Sequence, residues 1–210
     1  MNILLQTMVV IFAIVVLAEF LWRTKLLESE YSRKLVHILV GTFAATWAFF
    51  LNDQEIYFLT AAMFLVVLGS RFIGIFASIH SVKRKTWGEL FFPLGIAAAA
   101  ALTNSPWIFL AAVLHVSLAD ALAALIGRKY VKKYGYKIFN QQKTLVGTLI
   151  FFISSLVILL TVMVLGSDLS VYFMAVLIVP VFASLAENIG AYGSDDLLVP
   201  IVVTFLLANL

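Results

Sequence analysis

Apolar runs separated by short polar breaks dominate the chain. They cover about 3–22, 35–51, 56–74, 88–103, 107–126, 147–166, 171–190 and 197–210. A membrane-spanning helix needs about 20 mostly apolar residues. The pattern therefore predicts eight membrane segments, or seven full crossings if the short last run is a half-span or a tilted tail. The run 88–103 is short as well. The expected fold class is all-α: a polytopic transmembrane helical bundle forming a single integral-membrane domain over residues 1–210. The first run lacks the basic leader and small-residue cleavage site of a signal peptide, so it is expected to stay in the mature chain. Most breaks are too short for a soluble domain or a linker. The longest, 127–146, is strongly basic. No strong internal repeat is evident.

The basic residues follow the breaks in alternation. Arg23, Lys25, Arg33 and Lys34 lie between the first two runs. Arg71, Lys83, Arg84 and Lys85 lie around the third-to-fourth connection, and Arg128, Lys129, Lys132, Lys133, Lys137 and Lys143 between the fifth and sixth. These are all fourteen basic residues of the chain. The alternate breaks, Asn52–Glu55, Asn104–Pro106 and Gly166–Ser170, contain none. The positive-inside rule makes the three basic breaks cytoplasmic. With eight spans both termini face the other side, and 191–196 is cytoplasmic by parity.

Composition narrows the function. Hydrophobic residues make up 63% of the chain and charged residues 12%, against about 45–50% and about 25% in ordinary soluble domains. That excludes intrinsic disorder, a coiled coil and a soluble nucleic-acid binder. The net charge of +3 reports on topology, not on nucleic-acid affinity. There is no cysteine, which excludes a disulfide scaffold, a thiolate zinc site and cysteine catalysis.

The few charges in the spans are then the candidates for chemistry, because intramembrane charge is costly. Glu19 lies one turn before Arg23 and reads as a structural i,i+4 pair. Asp120 lies about 10 Å inside the bilayer at 1.5 Å per residue. Its helical face carries Ala123, Ala124 and Gly127, which lets another backbone or a ligand come close. The plainer reading is a buried Asp paired with a neighbouring Lys. Glu187 ends the seventh run on the same side, and Asp195 and Asp196 follow it. Carboxylates converging at one membrane face suit a hard divalent cation, Mg²⁺ above all, shared with phosphate oxygens.

Arg33, His37 and Gly41 share one helical face at that boundary. Arg33 can clamp a phosphate, and His37 can donate to one or move a proton. Lys143 and Thr144 with Gly147 open the sixth segment, where backbone N–H groups, an ammonium and a hydroxyl make an anion site. No Walker A pattern precedes them. Tyr130, Tyr134 and Tyr136 in the same break can stack on a base or sit at the interface. His115 reads as structural, and His80 has no nameable partner. Arg33, His37, Asp120, Lys143, Glu187 and Asp196 thus gather at one face. They suggest a site for a phosphorylated water-soluble substrate beside a hydrophobic second one.

Four blocks in order over residues 32–200 resemble the polyprenol kinase family, the CTP-dependent membrane kinases of dolichol, phytol and diacylglycerol. They are Ser32-Arg33-Lys34-Leu35-Val36-His37 through Gly41; Thr86-Trp87-Gly88-Glu89-Leu90 with Phe92-Pro93-Leu94-Gly95; Asp120 through Gly127-Arg128 running on to Lys143-Thr144-Leu145-Val146-Gly147-Thr148; and Glu187 followed by Gly193-Ser194-Asp195-Asp196-Leu197-Leu198-Val199-Pro200. Three positions depart from the family pattern. Ala119 stands where Gly is usual before the Asp, Val146 where Glu is usual, and Asp196 where Asn is usual.

The resemblance implies transfer of the γ-phosphate of CTP to a lipid alcohol of the polyprenol, dolichol, phytol, geranylgeraniol or diacylglycerol type, at the cytoplasmic face. On this reading Asp120 and Glu187, with Asp196, hold Mg²⁺, and Arg33, Arg128 and Lys143, with Thr144 and Gly147, grip the nucleotide phosphates within the basic 127–146 loop. Either Asp120 or His37 takes the hydroxyl proton. Glu89 joins the nucleotide site by resemblance alone. The alternatives are a CTP-dependent phosphatidate cytidylyltransferase, whose Asp-Arg-x-Asp signature is missing here, and a non-enzymatic carrier, which would spread its acids through the bilayer depth.

Overall fold

A computed structural model describes residues 2–76, 86–139, 141–166 and 169–210. His80 and the cluster Lys83, Arg84 and Lys85 lie outside the described residues, as do Ser167 and Asp168.

Eight helices appear among the described residues, one for each apolar run. They are α1 (Ile3–Arg23), α2 (Ser29–Ala45), α3 (Asp53–Ile73), α4 (Gly88–Leu102), α5 (Pro106–Tyr134), α6 (Leu145–Leu165), α7 (Leu169–Ile189) and α8 (Asp195–Asn209). Four of them, α1, α3, α5 and α6, are long and apolar enough to cross a membrane. The protein is a polytopic helical bundle.

Local signals set the helix ends. Asn52 and Glu55 form a capping box at the start of α3, each side chain satisfying the other's backbone N–H at 3.0 Å. Gly74, at φ +74°, closes that helix in the left-handed region. Ser105 caps α5 with Pro106 in its first turn. Thr144 caps α6, its hydroxyl accepting from the Gly147 N–H at 2.9 Å.

Two elements differ from the sequence expectation. α2 starts at Ser29, six residues before the apolar run, so Arg33 and Lys34 are helical and buried, not loop residues. The cause is tertiary: each finds an anionic partner that makes burial tolerable. The 127–146 segment is not a plain loop. Its first part continues α5 through a 3₁₀ turn, Arg128–Tyr130. Its second part is an antiparallel hairpin, β1 (Gly135–Ile138) and β2 (Gln141–Thr144), in the register Gly135 to Thr144 and Ile138 to Gln141.

α5 runs through the middle: 61% of its apolar window is buried, against 17–28% in the other three long spans. α4 packs on α8 and α3, α6 on α5 and α7, and α2 on α1 and α5. Trp47, Phe109, Phe151, Ile96 and Leu159 are wholly buried in the core. Inside α5, His115–Ala119 form a π-helical turn immediately before Asp120. Such turns widen the helix and re-aim the residues after them. His115 is structural as expected, its ring held between Ala111 O and Ser155 Oγ at 2.7 Å each.

α2 reaches this π turn through Gly41. A Cβ there would collide with the Ser117 side chain and the Phe92 ring. Gly41→Ala is expected to cost about 1–3 kcal/mol by overpacking, measured as a lower Tm in detergent. An unchanged Tm would show that the two helices tolerate separation.

Candidate active site

The polar residues gather at the end of the bundle that carries the basic breaks. α2 contributes three in one turn. Lys34 makes a buried ion pair with Asp120 of α5. His37 joins Asp196 at the start of α8, Nε2 to Oδ1 at 3.0 Å, with its ring stacked on Phe92 at 3.9 Å between centroids. Arg33 reaches Glu30 at 3.3 Å, while its Nε is buried with no hydrogen-bond partner among the described residues.

The hairpin delivers the next cation. Lys143 on β2 donates to Glu187 Oε1 at 2.6 Å and to the Glu187 carbonyl at 2.7 Å, and lies 3.3 Å from Asp195 Oδ2. The hairpin is tied down at the same place: the Tyr136 hydroxyl bonds Asn188 of α7 and, at 2.7 Å, Thr148 of α6. Burial alone would lower the pKa of Lys143. The carboxylates of Asp195 and Glu187 outweigh it and hold the ammonium above the ordinary lysine value of 10.5. Lys143 is therefore cationic across the physiological range. The lysine side of this pairing stabilises the fold below its ordinary value and is lost as pH rises into the strongly alkaline range, while acid that protonates Glu187 and Asp195 removes the pairing from the other side.

Close backbone approaches shape the floor of the site. Gly127 and Gly147 face one another, and a Cβ on Gly147 would lie 2.9 Å from Thr144 Oγ1 and 3.1 Å from the Ala123 carbonyl. At the other wall the turn before α4 binds the turn before α8, Trp87 N–H to Tyr192 O at 2.8 Å. A Cβ on Gly88 would strike the Asp196 carboxylate. Asp196 is thus seated between α4 and His37.

These residues enclose a polar cavity of about 240 Å³. Arg33, Asp120, Arg128, Lys143, Thr144 and Gly147 line it, and so do Glu187, Asp195 and Asp196. Arg128 is exposed at its rim. Two of the sequence candidates sit elsewhere: His37 and Glu89 line a neighbouring apolar cavity, and Arg33 lines both. Glu89 takes Arg71 at 3.4 Å, and Arg71 lies over the Trp87 ring. Glu19 pairs with Arg23 at 2.7 Å, away from the site.

Among the described residues, two groups of candidate donors have atoms within 4.8 Å of one another: Asp120, Glu187 and Asp195, and His37, Asp120 and Asp196. Asp195, not Asp196, completes the all-carboxylate trio. Sequence reading also overlooked Lys34 as a site residue, because its neighbour Arg33 and the basic break explained it as topology. The signals for it were its place in the Arg33-Lys34 to Gly41 block, the plainer reading of Asp120 as an Asp paired with a Lys, and its i,i+3 spacing to His37.

A phytol kinase from Synechocystis sp. is 31% identical to the chain over 199 residues, covering 90% of this chain and 83% of that protein. The chain belongs to the polyprenol and phytol kinase family of lipid-alcohol kinases. No protein-family model matches it, and no solved structure does. Within this polyprenol and phytol kinase chain the Arg-Lys-x-x-His-x-x-x-Gly block acquires a physical meaning. Lys34 holds Asp120, His37 holds Asp196, and Gly41 admits the π turn that carries Asp120. Val146, at the position where the family pattern has Glu, is not among the residues lining the polar cavity.

Proposed function

We propose that the protein transfers the γ-phosphate of CTP to the hydroxyl of a membrane lipid alcohol of the phytol or polyprenol type, at the cytoplasmic face. The observation that carries this reading is the polar cavity itself, which sets Lys143, Arg128 and Arg33 around three clustered carboxylates at the basic end of an apolar bundle. The phytol kinase relative supplies the acceptor class. The choice of CTP rests on the resemblance of the four sequence blocks, and sidedness rests on the distribution of the basic residues.

Phosphoryl transfer asks for positioning and charge neutralisation more than covalent help. Lys143, Arg128 and Arg33 bind and orient the triphosphate oxygens, with the Thr144–Gly147 helix start beside them. The hydroxyl oxygen bonds to the γ-phosphorus as the γ-phosphorus–bridging-oxygen bond breaks, and CDP leaves with that electron pair. His37, backed by Asp196, receives the hydroxyl proton. The oxygen-only trio of Asp120, Glu187 and Asp195 fits a hard cation such as Mg²⁺ and would hold it. The ion would neutralise phosphate charge.

Purified protein given labelled CTP or ATP, Mg²⁺ and a panel of lipid alcohols should yield CDP and a lipid monophosphate, with CTP the better donor. Pyrophosphate as the product would instead make the protein a cytidylyltransferase. No labelled lipid from any alcohol would overturn the kinase reading.

A further inference from the structure

Beside the polar cavity lies a second one of about 210 Å³, enclosed by α1, α2, α3 and α4. Its lining is strongly sorted by depth. The polar groups Arg33, His37, Ser70 and Glu89 all come from the helix ends next to the basic breaks. Everything deeper is apolar, including Met8 and Val15 of α1, Val40 of α2 and Leu59 of α3. Along α3 the lining residues recur at helical spacing from Leu59 through Ala62, Met63, Val66 and Val67 to Ser70. That is a shaft about 16 Å long at 1.5 Å per residue.

The two cavities share one wall. Arg33 lines both, and its Nε is buried without a hydrogen-bond partner among the described residues. A buried donor left open is costly unless a ligand completes it. The His37 ring lines the apolar cavity, while its Nε2 is bonded to Asp196, which lines the polar one. An occupant with one polar head and one apolar tail fits this sorting. Its head would sit against the wall through which the γ-phosphate is reached.

We infer that the apolar cavity between α1, α2, α3 and α4 is the acceptor groove, holding the single hydrocarbon chain of the lipid alcohol with its hydroxyl at the Arg33–His37 wall. The inference rests on the kinase reading above and deepens it. The groove offers one shaft, so it favours a single-chain alcohol over a lipid with two acyl chains. The α3 wall around Ala62 decides how long a chain is accepted. Ala62 stands about 12 Å from Ser70 along α3 at 1.5 Å per residue, beyond the reach of a ten-carbon isoprenoid tail but within that of a twenty-carbon one.

The test compares Ala62→Trp with the parent enzyme on ten-carbon and twenty-carbon isoprenoid alcohols. The variant is expected to raise KM for the longer alcohol by about tenfold or more, the range that a few displaced methylene contacts command. KM for CTP and turnover of the shorter alcohol should stay near the parent's. Leu65→Trp, on a 65%-exposed position of the same helix, should change neither. Equal kinetics of parent and Ala62→Trp on the long alcohol would overturn the groove while leaving the kinase reading intact. A parent that phosphorylates no alcohol would overturn the kinase reading. The groove has its own readout in either case, and also if the variant fails to fold. A long alcohol with a diazirine at its tail should photolabel parent peptides from α1 and α3. Labelling confined to α6 and α7 would overturn the assignment.

Discussion

Asp120→Asn should lower kcat by about 10²–10³-fold, the usual loss when one preorganised electrostatic group is removed from a reacting centre. Asp120 belongs to both groups of potential cation ligands and is the partner of the buried Lys34. The substitution is nearly isosteric, so the packing around Ala121 and Ala123 should survive. Its structural cost comes from Lys34, left as an uncompensated buried ammonium. Breaking one side of a buried pair costs about 3–5 kcal/mol, and an Asn oxygen still able to accept a hydrogen bond reduces that. Two roles for Asp120 can therefore be separated. Adding Lys34→Met to Asp120→Asn should restore Tm in detergent toward the parent value without restoring activity. If the double variant recovers both, Asp120 serves only to neutralise Lys34. If Asp120→Asn alone stays fully active, the site assignment fails.

Lys143→Ala should lower kcat/KM by about 10²-fold, chiefly through KM for CTP, because a cation that binds phosphate in ground and transition state alike contributes to both. Lys143 also holds Glu187 and Asp195 together. Without it, Asp120, Glu187 and Asp195 face one another with less opposing charge, and repulsion should lower Tm at neutral pH. A divalent cation fits this situation better than it fits the parent. Titrating Mg²⁺ without nucleotide should therefore raise Tm more in Lys143→Ala than in the parent. Thermal melts at several Mg²⁺ concentrations, with Ca²⁺ as a comparison, make this readable without any activity. No rise in Tm in either protein would show that the carboxylate trio is not a cation site.

Much of the molecule could be read along the chain. The eight helices match eight apolar runs because hydropathy is summed over local windows, and backbone hydrogen bonds inside a bilayer leave few alternatives to helices. The Glu19–Arg23 pair was legible for the same reason: its partners are four residues apart on one helix. Arg33, Asp120, Lys143, Thr144 and Glu187 were also nameable from their type and their place at the basic end, and the structure sets them around one cavity.

Other features were not legible, and the reason is distance along the chain. Lys34 and Asp120 are 86 residues apart, and His37 and Asp196 are 159 apart. No local window contains either pair. Whether Asp195 or Asp196 turns toward Glu187 is decided by the first turn of α8, which in turn depends on its seat against Gly88. The hairpin was hidden inside a run of charges. Its strands are four residues each, too short for a period to show, and it stands because Tyr136 finds Asn188 and Thr148 on two other helices.

The sequence alone therefore determined the apolar helical architecture, the gathering of basic residues at alternate breaks and the types of charged residue set within the helices. All of these are sums over neighbouring positions. Tertiary structure decided the pairings. It buried Lys34 and Arg33 by starting α2 early, aimed Asp120 with a π turn, and split the polar residues between two cavities that meet at Arg33. Each of these depends on which helix faces which. In this bundle that is set by close approaches at Gly41, Gly88 and Gly127, where the absence of a side chain lets two backbones meet.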